Sequence, residues 1–519
     1  MSLATADFAC DDARWTGIGL AQIWGETGGD FPSSGGAGCA LVSAMWWILM
    51  VGWVVGLAVV PRILLQKKSP VSTLAWIWAV LLFPYFGALV YFVFGAEQIR
   101  RQRLRRREQF RAHRERDAGP AADDAALEEI VRSLPEPDRA LLTLVSRINR
   151  LPPAAGNATA LLEGGVALYA DLIAAIDGAR EHVHVMFYIW RDDAAAGAVL
   201  EALVRAAERG LEVRLLLDEI GCLFTPTRTF NRLRDAGGEF AWFLTLIPER
   251  KLLLLNLRNH RKLVVVDGRK AWLGGMNVGE EYAGGTPEFP VWRDVQVRLT
   301  GPAVTALQEI FADDWFFATK LRLVAPRFYP EVAPDATGGI VQLVSGGPDN
   351  RVSEHGLTVV ALLHHARERA WLASPYLVPD AALLDALTLA VLRGVEVRLL
   401  VPARSDHTWL THVTRSFYDE LFAKGVRVFE FQPGMLHSKL VTIDGRWSMI
   451  GSANLDIRSF RLNYELNALV LSEGRTREVE AIFARDFAES RERSAREFAR
   501  RPRLQKLIEA ALRPFAPLL

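Results

Sequence analysis

Cysteine is nearly missing from this chain: Cys10, Cys39 and Cys222 are three in 519 residues, far apart and in no metal-like spacing. That argues against a disulfide framework or a thiolate zinc site and suits a reducing compartment. Net charge is missing too, at +1, but the basic residues are bunched locally, and their distribution matters more than the total. Disorder is excluded by a composition that is 50% hydrophobic with 15 Trp. The length allows two or three domains with full cores.

Charge is also absent from two long stretches, residues 41–60 and 74–95. Each approaches the roughly 20 residues needed to cross a hydrocarbon core about 30 Å thick. Two buried core helices are the alternative, but adjacent uncharged runs of this length are rare in soluble domains. A cleaved signal peptide fits worse: no basic segment precedes the first run, whose upstream residues include Asp7, Asp11, Asp12 and Asp30. After the second run come Arg100, Arg101, Arg103, Arg105, Arg106, Arg107 and Arg111, whereas the loop between the runs has only Arg62, Lys67 and Lys68. The positive-inside rule predicts a membrane hairpin with everything after Gly95 in the cytoplasm. The Arg cluster also suits contact with anionic lipid. Pro84, inside the second run, permits a kink.

The remainder divides into a connector and two similar halves. "RLPPAAGN" reads as the break that ends the connector. "RGLEVRLLLD" and "RGVEVRLLVP" are the same element, each preceded by a helix, and helices alternating with buried β runs imply an α/β sandwich in each half. The expected boundaries are a tail over 1–38, two transmembrane helices over 39–95, a basic and helical connector over 96–158, a first half over 159–335, and a second half over 336–519 that ends in a basic helix.

"HRKLVVVDG" from His260 and "HSKLVTIDG" from His437 repeat one pattern, and Gly274-Gly275-Met276-Asn277 matches Gly451-Ser452-Ala453-Asn454 downstream. A single His-x-Lys would be noise, but two with matching tails imply one site built from a duplicated unit. The turns at Asp267-Gly268 and Asp444-Gly445 predict β-hairpins. On a strand His260 and Lys262 share a face, as do His437 and Lys439. Asp267 and Asp444 complete the motifs, and their turn position predicts that they hold the turn or a neighbouring Lys more than they do chemistry. The glycines allow close backbone approach, and Asn277 and Asn454 offer amide hydrogens.

Two imidazoles, two ammonium groups and two amides suit a phosphodiester. The lysines and asparagines stabilise charge on the non-bridging oxygens. One His attacks phosphorus while the other protonates the leaving alcohol, then deprotonates the acceptor. Fixed cations stand where a metal would, so neither metal nor cofactor is expected. A His in such a role needs a partner that fixes its tautomer. Asp294 in "WRD" and Glu465 in "NYELN", each downstream of its own motif, are the candidates, against the alternative of ordinary surface carboxylates.

These paired H-x-K-x4-D motifs resemble the phospholipase D superfamily over about residues 160–500. The whole chain resembles the bacterial cardiolipin synthases, through the paired apolar runs, "NHRKLVVVDGRKAWLGGMN", "SPYLVPD", "NLDIRSFRLNYELN" and the terminal "PLL". Ile457, where relatives often have Asn, and the His364-His365 pair depart from that pattern outside the motifs. The resemblance implies two pseudo-symmetric phospholipase D-like α/β halves in a bacterial inner-membrane enzyme. It also implies transfer of a phosphatidyl group from one phosphatidylglycerol through His to a second, giving cardiolipin and glycerol. A hydrolase of the same superfamily, with water as acceptor, has the same motifs. A membrane-tethered scaffold with a dead site would have no reason to keep both motifs. The membrane hairpin, and the lack of a basic-aromatic stripe, favour lipid over nucleic acid. Oligomeric state, and which His attacks, stay open.

Among lesser signals, His182 and His184 are expected to alternate on a strand and to share its face with Tyr188 and Trp190, and packing outweighs a metal pair that lacks a third ligand. Asp406-His407 reads as an ordinary loop that could border the site. Leu252 to Leu255 form either a buried strand or a lip that dips into lipid. The basic segment 491–503 is either a membrane-surface helix or a solvated one.

Overall fold

The computed structural model describes residues 35–66, 70–92, 127–149, 151–243, 258–348, 350 and 352–518. The Arg cluster at 100–111, Lys67, Lys68, most of the N-terminal tail and the Leu-rich stretch 252–255 lie outside the described residues. The chain separates into two units, Met1–Tyr91 and Phe92–Leu519.

In the first unit, α1 runs over Gly35–Leu65, α2 over Pro70–Leu82 and α3 over Pro84–Val90. Within α1, Ala44–Leu65 is long and apolar enough to cross a membrane, with a mean hydropathy of 2.3. At 1.5 Å per residue it rises about 33 Å. Most of its large side chains, such as Trp46 and Trp47, meet no protein. The second apolar run is not one continuous helix: it breaks at Phe83, whose φ/ψ of −130°/70° is non-helical. Pro84 causes the break, since it has no N–H and its ring crowds the preceding turn. Contacts run in opposite order along the segments: Tyr85 Oη donates to Ile48 O at 2.6 Å, while Gly56 faces Val80. The pairing of α1 with α2 and α3 is therefore antiparallel. Gly52 and Gly56 make it close, because a Cβ on Gly52 would lie 2.9 Å from the Tyr85 ring.

In the second unit a 16-stranded sheet runs through both halves. From the seam outward, the first half orders its strands Ala154–Glu163, Val295–Thr300, Lys270–Gly274, Leu263–Val266, His182–Phe187, Glu212–Leu217 and Glu239–Trp242. The second half repeats this as Gly339–Gly346, Asn463–Leu471, Trp447–Gly451, Leu440–Ile443, Arg369–Ala373, Glu396–Pro402 and Arg427–Phe431, with Ser490–Arg493 added at its edge. The two recurring "RG-x-EVRLL" elements are the matching inner parallel strands. Parallel strands buried under helices read as unbroken apolar runs, which is why they were recognisable. One hydrophobic cluster holds Leu273, Val297 and Phe311 of the first half together with Leu436, Tyr464 and Phe483 of the second, so the two halves share a core.

Both predicted hairpins form. Asp267 and Gly268 take φ of 52° and 62°, and Asp444 and Gly445 take 53° and 67°, the positive angles that match strand twist. The two aspartates hold backbone and no lysine. Asp267 accepts from the amides of Arg180, Glu181 and His182 at 2.8–3.0 Å. Asp444 accepts from those of Arg367, Glu368 and Arg369 at 2.9 Å. Each carboxylate thus pins the start of the neighbouring parallel strand.

Three boundaries differ from the sequence reading. "AAGN", taken as part of a break, begins the strand Ala154–Glu163, where Gly156 (φ 72°) shifts the register. The helix Glu136–Asn149 is no mere connector: Leu141, Leu142 and Val145 join the second half's core, and Asp138 accepts from Trp447 Nε1 at 2.7 Å. The C-terminal basic helix is instead the strand Ser490–Arg493 and the helices Ala495–Ala499 and Arg503–Leu512, because Pro502 interrupts it and Arg493 pairs with Glu430. His182 and His184 pack against Phe311 and Phe328, with His184 Nδ1 3.0 Å from Gln308 Oε1, as the packing alternative expected. Tyr188 and Trp190 lie past the end of their strand and do not share that environment.

Replacing Asp444 by Ala leaves three amides without their charged acceptor, a loss of about 2–4 kcal/mol. The expected result is a melting midpoint several degrees lower in thermal denaturation, with turnover per folded molecule falling far less than on loss of either motif His. The same holds for Asp267→Ala.

Candidate active site

Each motif enters the site by crossing to the other half. Arg258–Asn259 pairs in parallel with Asn463 and Tyr464, and the His260 amide then donates to Tyr464 O at 2.9 Å. Met435–Leu436 pairs with Trp292–Arg293, and the His437 amide donates to Arg293 O at 2.7 Å. These crossings place each His beside the acid of the opposite half. His260 Nδ1 lies 3.0 Å from Glu465 Oε2, and His437 Nδ1 lies 2.6 Å from Asp294 Oδ2. The two expected acids are therefore the orienting partners, but crossed: each serves the other motif's His. Neither is a surface carboxylate, since both are fully buried. An ionised carboxylate only accepts, so against Glu465, which is held low, His260 Nδ1 carries the proton and its Nε2 is left bare, whereas His437 Nδ1 lies between Asp294 Oδ2 and Lys439 Nζ.

The glycine tails pack against these acids. A Cβ on Gly275 would come within 2.5 Å of Asp294 Oδ1, and at the matching position Ser452 Oγ donates to Glu465 Oε2 at 2.6 Å. Arg261, the variable residue of the first motif, is wholly buried and bonds Asp314, Ser345 and the carbonyls of Glu465 and Gly346. It fastens the first motif to the second half.

Both rings, with Asn277 and Asn454, line one cavity of about 380 Å³. Lys262 Nζ donates to His260 O at 2.7 Å, and Lys439 Nζ bonds His437 O and lies 2.9 Å from His437 Nδ1. Asn277 accepts from Ile189 N at 3.1 Å and donates to Tyr282 Oη at 2.7 Å, while Asn454 donates to Asp456 Oδ2 at 3.1 Å. Each amide nitrogen keeps a second hydrogen. Asp267 and Asp444 do not line the cavity. The loop Asp406-His407 does, and Asp406 accepts from Tyr376 Oη at 2.8 Å. Sequence reasoning missed Tyr188, whose ring lies edge-on to His260 at 4.9 Å, and also Tyr282, Trp292, Tyr376, Trp409, Arg258 and Arg458. None belongs to the repeated motif. Only Tyr188 and Tyr376 carried a signal, as aromatics just past the C-terminal ends of strands.

Burial dominates the electrostatics. It lowers His260 to about 4 against the pull of Glu465, and takes His437 well below its ordinary value, where Lys439 adds to the effect. Lys262 is pushed well down and Lys439 to about 8, again by burial. Asp294 is raised to about 7 by burial. Burial also acts to raise Glu465, yet His260, Lys262 and Ser452 together hold it low. Two imidazoles and two amides line the cavity, and Lys262 and Lys439, which do not line it, are each held beside their own motif His; together they form a place for an anion with an electrophilic centre.

Two family models match the chain: "Cardiolipin synthase, PLD-like domain" over residues 172–315 and 359–487, and "Phospholipase D-nuclease N-terminal" over residues 46–95. The chain is 39% identical over 479 residues to cardiolipin synthase A of Pseudomonas aeruginosa (strain LESB58), covering 91% of this chain and 96% of the relative. It is 37% identical over 458 residues to cardiolipin synthase A of Pseudomonas putida, covering 88% and 94%. The crystal structure of phosphatidylserine synthase from Haemophilus influenzae Rd KW20 shares the fold, with a TM-score of 0.56 at 14% identity over 73% of this chain and 97% of that one.

The crossed pairing makes a test. Asp294→Asn should cut kcat at least tenfold by freeing the His437 tautomer, and Glu465→Gln should do so through His260. Lys439 loses its charge as pH rises through about 8. In steady-state profiles kcat/KM therefore falls above about pH 8, and Lys439→Arg shifts that limb upward.

Proposed function

Because the chain belongs to the cardiolipin synthase, phospholipase D-like family, we propose that it passes a phosphatidyl group from one phosphatidylglycerol to another, giving cardiolipin and glycerol. The observation that carries this reading is the pair of imidazoles, each oriented by the opposite half's acid, on one cavity. The bare Nε2 of one His attacks the phosphorus of the donor lipid and forms a P–N bond as the bond to the glycerol oxygen breaks. The other His, protonated, gives its proton to that oxygen, and glycerol leaves. The same ring then takes the proton of the acceptor's free hydroxyl. That oxygen attacks phosphorus, the P–N bond breaks, and the first His is regenerated.

Lys262, Lys439, Asn277 and Asn454 hold the non-bridging oxygens through the loose, charge-rich transition state. The bound phosphodiester anion also supports the depressed cations: it raises the proton affinity of the second His, so the ring that must act as an acid is charged when substrate is present. Neither step asks anything of Asp267 or Asp444 beyond their turns.

The spanning helix α1 fits a lipid substrate held in the membrane where the enzyme sits. We place α2 and α3 as the kinked return crossing, since they pack antiparallel on α1, and the Arg-rich segment that follows puts the catalytic unit on the cytoplasmic side of a bacterial inner membrane. Hydrolysis with water as acceptor is the second reading, because its first step is the same.

Purified protein incubated with phosphatidylglycerol is expected to yield cardiolipin and free glycerol on lipid chromatography. Phosphatidic acid as the main product would assign the hydrolase. His260→Ala and His437→Ala should each lower product formation by at least a thousandfold while the protein stays folded by circular dichroism. Substantial activity in either variant would break the shared-site mechanism.

A further inference from the structure

The helix Arg503–Leu512 turns the wrong face outward for a water-soluble surface. Its inner side carries Glu509, buried and paired with Arg501, and Leu512, packed on the core. Its outer side carries Leu504, Leu507 and Ile508, exposed by 67%, 66% and 38%, and Phe515 beyond it, exposed by 56%. Positions 504, 507 and 508, with the exposed Ala511, form one helical stripe. Exposed Arg500, Arg503, Lys506 and Arg513 border it. The helix is held in place: Arg513 donates to Ser416 O at 3.1 Å and to Glu420 at 2.8 Å.

This helix is linked to the reaction cavity through one neighbour. The helix packs on Thr408–Arg415, whose Trp409 lines the cavity and is 39% exposed. In the first half, the loop after Glu212–Leu217 carries Leu223 and Phe224, exposed by 61% and 85%. This loop is tied to the cavity wall, for Thr225 Oγ1 bonds Trp190 O, Trp190 N donates to Cys222 Sγ at 3.2 Å, and Tyr188 and Ile189 line the cavity. In the repeat, that loop and the one bearing Trp409 follow corresponding strands, Glu212–Leu217 and Glu396–Pro402. Each half thus carries an exposed aromatic, Phe224 or Trp409, seven residues past the end of the corresponding strand.

We propose that this rim and the stripe on Arg503–Leu512 form a face that docks into a bilayer leaflet containing anionic lipid, so that the cavity opens directly onto the headgroup layer. The apolar stripe takes the acyl boundary and the bordering cations take lipid phosphates, the division of labour of an interfacial helix. A second copy of the chain is the poorer occupant, because matching two such faces would bring like charges together. The inference goes beyond the reaction assignment and does not depend on which acceptor the enzyme uses.

The test uses full-length protein reconstituted in vesicles of phosphatidylglycerol and phosphatidylcholine, with Cys10→Ser and Cys39→Ser leaving only the buried Cys222. An environment-sensitive fluorophore is attached through Leu507→Cys or Phe224→Cys, and through Lys270→Cys, on an exposed hairpin end, as the control. The expected result is blue-shifted emission, quenched by spin-labelled lipid, at 507 and 224 and not at 270. Emission at 507 and 224 that matches the control would overturn the proposal. So would shielding of those positions with no lipid quenching in a cross-linked dimer, which would give the face to a second copy.

In a second arm, Leu504→Glu combined with Leu507→Glu should lower the rate on vesicle phosphatidylglycerol at least fivefold relative to the rate on a monomeric short-chain analogue. Equal loss of both rates would overturn the docking role. Fluorophore burial is read without turnover, so a wild-type protein that makes no cardiolipin would sink the reaction assignment and leave this proposal standing on its own result.

Discussion

Two crossed clasps hold the site together, and neither half can make one by itself. In each, a backbone amide of the motif His bonds the carbonyl just before an acid, and the ring of that His bonds the acid itself. Main-chain pairing sets the register and the side chain sets the tautomer. Slipping either short parallel pair by one residue would turn its His away from the cavity, because neighbouring residues on extended chain face opposite ways. This explains why so much of the interior is spent on the seam: the shared hydrophobic cluster and the buried Arg261 network keep the halves in register. A loosely packed pair of domains would lose the rings' alignment first.

The site's charge is set by that enclosure. Burial takes both imidazoles and both lysines down from their ordinary values, and the Lys439 charge lowers Lys262 further. An empty cavity of this kind stores an unfavourable arrangement that an anion relieves. In the proposed reaction, the substrate's phosphate therefore completes the catalytic machinery as it binds. The neutral imidazole needed for attack is already present, and the proton needed by the leaving group is stabilised by the phosphate itself.

Much of this was legible in the sequence because duplication writes a site twice. The His-x-Lys pairs, the Asp-Gly turns and the inner parallel strands were recognisable by their recurrence and their unbroken apolar runs. Asp294 and Glu465 were found, but the natural expectation paired each with its own motif. Only three-dimensional crossing of Arg258–Asn259 and Met435–Leu436 exchanges them, and nothing in the spacing of one chain reveals a contact across some two hundred residues, such as His260 with Glu465 at a separation of 205. The cavity's aromatic wall was illegible for a related reason: Tyr188, Tyr282, Trp292 and Tyr376 come from four separate segments of the chain. The break at Phe83 followed from Pro84, whereas the fate of Glu136–Asn149 did not, since an amphipathic helix does not say which core it will join.

A duplicated site has one difficulty, and the two halves differ at the residues that bear on it. Two identical histidines would be equally fit to attack phosphorus, yet the proposed reaction needs one nucleophile and one proton carrier at the same moment. The repeat supplies Asp in one clasp and Glu in the other. Asp294, raised to about 7 by burial, faces a His437 flanked by Lys439 at 2.9 Å. Glu465 is held low and bonded by Ser452, where the first half has Gly275. Hence the two clasps differ chemically, with Glu465 held low by His260, Lys262 and Ser452 and Asp294 raised by burial. His260 is lowered only to about 4, whereas His437 falls well below its ordinary value. The fold is nearly symmetric, but the surroundings of its two rings are not: His260 meets an acid that is held low, and His437 meets one that burial raises, with an ammonium beside the same ring nitrogen.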